Sequence, residues 1–214
     1  IEQMVIKNFL NEPSIQIPQI DRSSISTINN FVQNMYIKLY NRTPDEYEIW
    51  FLSNMIEKKF SGDIYPINPN RDHVQGMKAY PSLLDVKDDL DFILVAVPSK
   101  LVVSVLEQAV IKKAKTALIF SSGFSEIGGQ GEVFQNEIKK ISQDSGLRVI
   151  GPNCLGLFNS ANNFFPTFTT TVNRTTPIPG DIAIASQSGA YGSHIYMVAH
   201  ERGLGIRYWM TTGN

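Results

Sequence analysis

The run FILVAV at residues 92–97 constrains the fold more than any other segment of the chain. Six apolar residues without polar alternation indicate a strand buried on both faces, and such strands belong to parallel sheets covered by helices. The next residues fit that demand. SKLVVSVLEQAVIKKA begins at Ser99, an N-cap candidate just after Pro98, and carries apolar residues at helical spacing. TALIF (116–120) follows as a second strand, GEVFQNEIKKISQDSG as a helix stopped by Gly146, and LRVIG (147–151) as a third strand. IYPINP (64–69) reads as a short strand ahead of them. Strands alternating with helices make βαβ units with right-handed crossovers, so the expected class is α/β with a doubly wound parallel sheet.

Two other regions flank this core. In residues 1–60 the apolar positions Ile25, Ile28, Val32, Met35, Tyr36 and Leu39 recur at helical spacing. NRTPDEYEIW then offers Thr43 as N-cap, Pro44 at the first helical position and Glu46 to complete a capping box, so a helix is expected to about Phe60. After residue 156 the text FNSANNFFPTFTTTVNRTTPIPG is rich in Asn, Thr and Pro and reads as a linker or excursion. A fresh unit follows, with strand DIAIAS (181–186), helix YGSHIYMVAHERG and strand IRYWMTT. The expected division is a helical segment 1–60, an α/β domain 61–150 with the doubly wound sheet, and the start of a second α/β unit, 151–214, that stops before its sheet is complete.

Composition removes several function classes. Lys+Arg 19 against Asp+Glu 20 gives a net charge of -1, with no electrostatic footprint for nucleic acid or an anionic membrane. The longest apolar run falls far short of a membrane span. A single cysteine, Cys154, excludes an internal disulfide framework and fits a reducing compartment, so a cytoplasmic location is expected. His, Cys, Asp and Glu form no group at ligand spacing, and no protein-held metal is expected.

The chemistry should sit beyond the carboxyl ends of the strands, where open α/β sheets bind ligands. Five such ends carry Pro, Gly, Ser or Asn: INPNR (67–71), VPS (97–99), SSGFSEIGGQG (121–131), GPNCLG (151–156) and SQSGAYG (186–192). Turns of this kind leave backbone N–H groups free to face a ligand. A serine hydrolase using Ser188 does not fit, because its elbow needs G-x-S-x-G and Ser186 and Ala190 occupy the glycine positions.

From about Asn54 to Asn214 the chain resembles the alpha part of nucleoside-diphosphate-forming acyl-CoA synthetases, and more distantly the succinyl-CoA ligase alpha subunit. The segments that carry the resemblance are SGDIYPINPN, AYPSLLDV, DFILVAVPS, SSGFSEIGGQG, GLRVIGPNCLGLFN, GDIAIASQSGAYGS and GLGIRYWMTTGN, in family order. The resemblance implies a CoA-binding Rossmann-like domain followed by flavodoxin-like domains. Together these couple acyl-CoA and acyl phosphate to ATP synthesis through a phosphohistidine. It implies coenzyme A as ligand, with acyl-CoA as its loaded form. It places ATP/ADP with Mg on a partner segment, an ATP-grasp beta subunit or domain; a homodimer is also compatible.

Residue by residue, the resemblance puts Asn68, Pro69 and Arg71 against the CoA phosphates, where a guanidinium fork pairs well with phosphate; a solvated surface arginine is the alternative. Tyr80, Pro81, Val97 and Pro98 lie in the two segments that flank the CoA nucleotide; the alternative is that Val97 and Pro98 merely end a strand. Ser122, Gly123, Phe124 and Glu126 match the S-G-F-x-E turn near the reactive end. There Glu126 either orients the phosphohistidine, a catalytic role, or caps a helix. Asn153 and Cys154 match the G-P-N-C turn near the CoA thiol, with Cys154 either reactive or a buried structural thiol. Ser186, Gln187, Ser188, Gly189 and Ala190 form the helix start that holds phosphate.

The family's phosphorylated histidine lies beyond the closing G-N, so none of His73, His194 and His200 corresponds to it, and His194, one turn into the helix after SQSG, is read as structural. The family's opening strand and G-A-S turn have no counterpart before FLSNMIEKKFSG. Either a helical segment replaces them or residues are missing. Two functions stay open: the CoA-binding part of a synthetase whose histidine lies outside this chain, or a non-catalytic CoA-binding or sensing module like the synthetase-like region of some protein acetyltransferases. In both, the chain by itself is expected to bind CoA without turnover.

Overall fold

The computed structural model describes residues 55–214. The helical pattern expected for 1–60, with its capping box, lies outside the described residues except for a helical turn at 55–57.

The first elements form a small hairpin, β1 (His73–Val74) against β2 (Met77–Lys78), with His73 opposite Lys78. The strand expected over 64–69 is reduced to one parallel bridge between Ile67 and Tyr80. Pro66 and Pro69 have no N–H to donate, so a ladder cannot propagate through them.

The FILVAV run forms β3 (Phe92–Val95), followed by α1 (Ser99–Ile111), β4 (Thr116–Ile119), α2 (Gln130–Ser145) and β5 (Arg148–Ile150). The three strands pair in parallel in the order β3-β4-β5. The periodicity of α1 is explicit: Val102, Leu106 and Ala109 are fully buried against Ala117 and Ile119 of β4. Each such side chain taken from water contributes about 1.5–3 kcal/mol for the larger residues. In β3 only Ile93 and Val95 are buried, while Phe92 and Leu94 are half-buried, so one face is sealed more completely than the apolar run implies. Helix α1 takes Pro98, not Ser99, in the N-cap position, without a side-chain cap. Gly146 ends α2 as expected, with φ 75° and its N–H bonded to the Ser142 carbonyl.

The Asn- and Thr-rich excursion contains an element that its composition conceals. β6 (Leu157–Asn159) runs antiparallel to the last strand of the chain. A short helix, α3 (Thr171–Arg174), follows, and then β7 (Ile182–Ser186), α4 (Gly189–Glu201) and β8 (Ile206–Thr211). The second sheet has the order β6-β8-β7, with β7 and β8 parallel. Its core is aromatic. Phe158 and Trp209 are cross-strand partners with stacked rings 5.7 Å apart, and Tyr196 of α4 meets Phe158 edge-on at 5.3 Å. The Trp209 indole N–H donates to the Gly192 carbonyl (2.9 Å), so burying the ring leaves no donor unpaired. The threonines pin the excursion: Thr167 Oγ1 donates to the Leu155 carbonyl, and the Thr169 hydroxyl meets those of Thr171 and Ser193.

Candidate functional site

Five strand ends were expected to carry the site, and four of them meet through a continuous set of hydrogen bonds. The Ser121 hydroxyl, after β4, donates to the Val97 carbonyl after β3 (2.5 Å). The Asn153 N–H, after β5, donates to the Ser121 carbonyl (2.9 Å). The Asn214 N–H, after β8, donates to the Pro152 carbonyl (3.0 Å), and the Asn153 amide donates to Asn214 Oδ1 (3.2 Å). Finally Thr212 N–H donates to the Ser186 carbonyl (2.9 Å) and Gln187 Nε2 to the Gly213 carbonyl (3.1 Å), which brings in the turn after β7. The two sheets therefore share one floor at their carboxyl ends.

Glu126 is the charged centre of that floor. Its carboxylate accepts the N–H groups of Gly123 (2.6 Å) and Phe124 (3.1 Å), closing the S-G-F-S-E turn on itself. Gly123 has φ 100°, a conformation that suits a residue without Cβ. The Asn214 side-chain amide also donates to Glu126 (2.5 Å) and to Gln135 Oε1 (3.2 Å), while Gln135 Oε1 accepts the Ser125 N–H as well (3.0 Å). Burial alone would raise the Glu126 pKa. The Gly123 N–H, the Asn214 amide and further backbone N–H groups outweigh it and hold the carboxyl below the usual carboxylate range. Glu126 is thus an anion with an acceptor-only role, exposed at the surface of the floor.

Of the other residues singled out by sequence, Ser122, Asn153, Gln187, Ser188 and Ala190 are exposed on the floor, and Gly123, Ser186 and Gly189 are half-buried. Phe124 points into the first core and is fully buried. Cys154 is buried as well, with Sγ 3.4 Å from the Ile119 carbonyl. Burial pushes its thiol up to about 11, against a partial offset from the N–H groups of Gly156 and of Cys154 itself, so it stays protonated at neutral pH. Ser188 is the N-cap of α4: its hydroxyl accepts the Tyr191 N–H (3.3 Å), and the Ser186 hydroxyl donates to the Ser188 carbonyl (2.9 Å). Both serines hold the turn, and the first N–H groups of α4 face outward from a positive helix end.

The fifth strand end lies apart from these bonds. Asn68 makes an Asx turn, its Oδ1 accepting the Asn70 N–H (2.9 Å), and Pro69 and Arg71 are exposed. The loop is tied instead to Tyr80, whose carbonyl accepts the Asn68 N–H and whose N–H donates to the Pro66 carbonyl (both 2.9 Å). Tyr80 and Val97 are half-buried on the first core, and Pro98 is exposed. His194 is exposed, and His200 Nε2 lies 3.2 Å from the Thr176 carbonyl.

Three contributors were missed by sequence reasoning. Asn214, Gln135 and Ser121 supply the bonds that bind the floor together. Asn214 carried a signal, since it follows a glycine at the end of a strand; Gln135 sits inside a helix and carried none. Among the described residues no group of three or more His, Cys, Asp or Glu could hold a metal, and no helix is long and apolar enough to cross a membrane.

Comparison with known proteins agrees with this fold. The model of the CoA binding domain family matches residues 43–160, starting earlier than the family-like text that the sequence motifs delimit. Acetate–CoA ligase [ADP-forming] of Methanocaldococcus jannaschii is 41% identical over 157 residues, covering 73% of this chain and 21% of its own length. The alpha subunit of acetate–CoA ligase [ADP-forming] II of Pyrococcus furiosus is 34% identical, covering 72% of this chain and 32% of its own length. The dinucleotide-forming acetyl-coenzyme A synthetase 1 of Ca. Korarchaeum cryptofilum, solved with phosphate and ADP, superposes with a TM-score of 0.71 at 31% identity. It covers 80% of this chain and 36% of its own. The chain thus spans between about a fifth and about a third of the length of these relatives. With the match over residues 43–160 and the parallel sheet that its strands build, the chain belongs to the CoA binding domain family.

Proposed function

We propose that this chain is the CoA-binding part of a nucleoside-diphosphate-forming acyl-CoA synthetase, working with segments that carry the phosphohistidine and the ATP-grasp unit with its ATP/ADP and Mg. The observation that carries the reading is the shared floor, which gathers the turns after β3, β4, β5, β7 and β8 onto one face. Coenzyme A supplies a thiol that is acylated and released. The chain's residues bind and orient it.

In this reading Asn68, Pro69 and Arg71 meet the CoA phosphates, and Tyr80, Val97 and Pro98 flank the nucleotide. Ser122, Gly123 and Asn153 lie toward the thiol end. Phe124 and Cys154 act from beneath, as buried supports of that floor. The start of α4, from Ser186 to Ala190, offers N–H donors to a phosphoryl group without supplying a base. Glu126, ionised and already aimed by two backbone N–H groups, is suited to accept the ring N–H of a histidine brought from another segment.

The test is calorimetric titration of the full chain with CoA and with desulfo-CoA. Both should bind with similar affinity, since no residue of the floor reacts with the thiol. Failure of both to bind at millimolar concentration refutes the CoA reading. Incubation with ATP or an acyl phosphate should leave the chain unphosphorylated; a stable phosphohistidine at His194 would refute the placement of that residue on another segment.

A further inference from the structure

The hairpin beside the Asn68–Arg71 loop bears a cation whose position the fold fixes. The Lys78 ammonium lies 5.1 Å from the Tyr80 ring centroid, over its face, within reach of a cation–π attraction. The ring is itself held. Tyr65 meets it edge-on at 6.0 Å, the Tyr80 backbone is bonded to Pro66 and Asn68 on one side, and the Ala79 N–H donates to the Asp72 carbonyl (2.8 Å) on the other. Residues 78–80 are therefore laced to both ends of the 68–71 loop. His73 stands directly opposite Lys78 in the hairpin, so the two side chains share a face.

The two cations at this place form no ion pair among the described residues. The ion pairs among the described residues are Lys115–Asp91 and Arg207–Asp181, which leaves Lys78 and Arg71 exposed without a carboxylate partner. Of the carboxylates nearby, Asp88 accepts the Tyr65 hydroxyl (2.8 Å) and Asp85 closes the capping box with Ser82, while Asp72, between Arg71 and His73, is exposed and forms no ion pair with either cation. A compact cation fixed on a ring suits a phosphomonoester dianion, which concentrates charge on three terminal oxygens. A pyrophosphate spreads its charge and is served by backbone N–H groups. With one face of Tyr80 covered by Lys78 and its surroundings filled by Tyr65, the ring acts as a holder for the cation.

We infer that Lys78, positioned by Tyr80 and assisted by Arg71, recognises the 3′-phosphate of coenzyme A and so makes the site select CoA over its dephospho form. This rests on the CoA reading above.

The full chain is titrated with CoA and with 3′-dephospho-CoA, as the wild type and as the Lys78→Met and Tyr80→Phe variants. The wild type should prefer CoA by roughly tenfold or more. Lys78→Met should remove most of that preference while leaving the affinity for dephospho-CoA unchanged, and Tyr80→Phe, which keeps the ring face, should retain it. Equal wild-type affinity for the two ligands overturns the inference and leaves the CoA reading standing, as does an equal loss on both ligands in Lys78→Met. Binding of neither ligand by the wild type defeats both.

Discussion

Asn214 makes three side-chain hydrogen bonds across the floor, so the pair Glu126→Gln and Asn214→Ala tests whether that floor joins the two sheets. The contact between Asn214 Nδ2 and Glu126 is charge-assisted and short, at 2.5 Å. A hydrogen bond to a charged group contributes about 1.5–3 kcal/mol, and exposure of both residues pulls the expected value toward about 1 kcal/mol. Asn214→Ala also loses the bonds to Gln135 and from Asn153, both at 3.2 Å, for a total destabilisation of about 1–2 kcal/mol. Glu126→Gln should cost a similar amount, because a neutral amide accepts the Gly123 and Phe124 N–H groups more weakly. The double variant should fall short of the sum by about 1 kcal/mol, the energy of the shared bond. Urea unfolding followed by circular dichroism measures all four states of the cycle, with unchanged slopes confirming that only stability has moved. A coupling below about 0.3 kcal/mol, within ordinary additivity, would show that the Asn214–Glu126 bond has no part in joining the sheets.

Gly213 has φ 69°, and a Cβ there would lie 2.0 Å from the Pro152 carbonyl oxygen; Gly213→Ala should therefore destabilise by at least about 1–2 kcal/mol in thermal unfolding, and an unchanged midpoint would contradict the packing of this turn. Cys154, with its thiol near 11 and buried, should resist alkylation in the native protein at about pH 8 and react fast once unfolded; rapid native labelling would place it at the surface. The Glu126 carboxyl is lowered in the folded protein, so its contribution is complete above the unfolded carboxylate pKa and is lost as pH falls through the folded value. The stability gap between wild type and Glu126→Gln should be widest near neutral pH and narrow as the pH falls through and below the ordinary carboxylate range, and a gap that stays constant would mean the carboxylate is not the acceptor.

Much of this arrangement was legible in the chain. The parallel sheet followed from FILVAV and TALIF, because strands covered by helices need no polar alternation. The turns of the floor were visible as Gly, Ser, Asn and Pro after each strand. β6 was hidden because three residues are too few to show a period, and its pairing is decided by β8, about fifty residues later. The strand expected over 64–69 was an overreading, since apolar character outweighed the two prolines that stop its ladder. What joins the turns was illegible for another reason. Asn214, Gln135 and Ser121 act through side chains that meet only after both sheets have formed, and spacing along the chain carries no trace of that meeting.

The two cores share no buried residue: Leu106, Ile119 and Phe124 belong to one, and Phe158, Tyr196 and Trp209 to the other. Between them run the polar floor and a few ring contacts, such as Phe120 on Phe168 at 4.9 Å and Phe92 on Phe164 at 5.1 Å. Such a division predicts that the described residues, though part of one compact unit, open in two cooperative steps of unequal cost. Opening the β6-β8-β7 unit would cost its own aromatic core and this thin boundary, while the β3-β4-β5 sheet, with the larger core, stays closed. Amide protons in the centre of β8 should then escape to solvent through a smaller excursion than those of β4, and a ligand spanning the floor would slow the first class most.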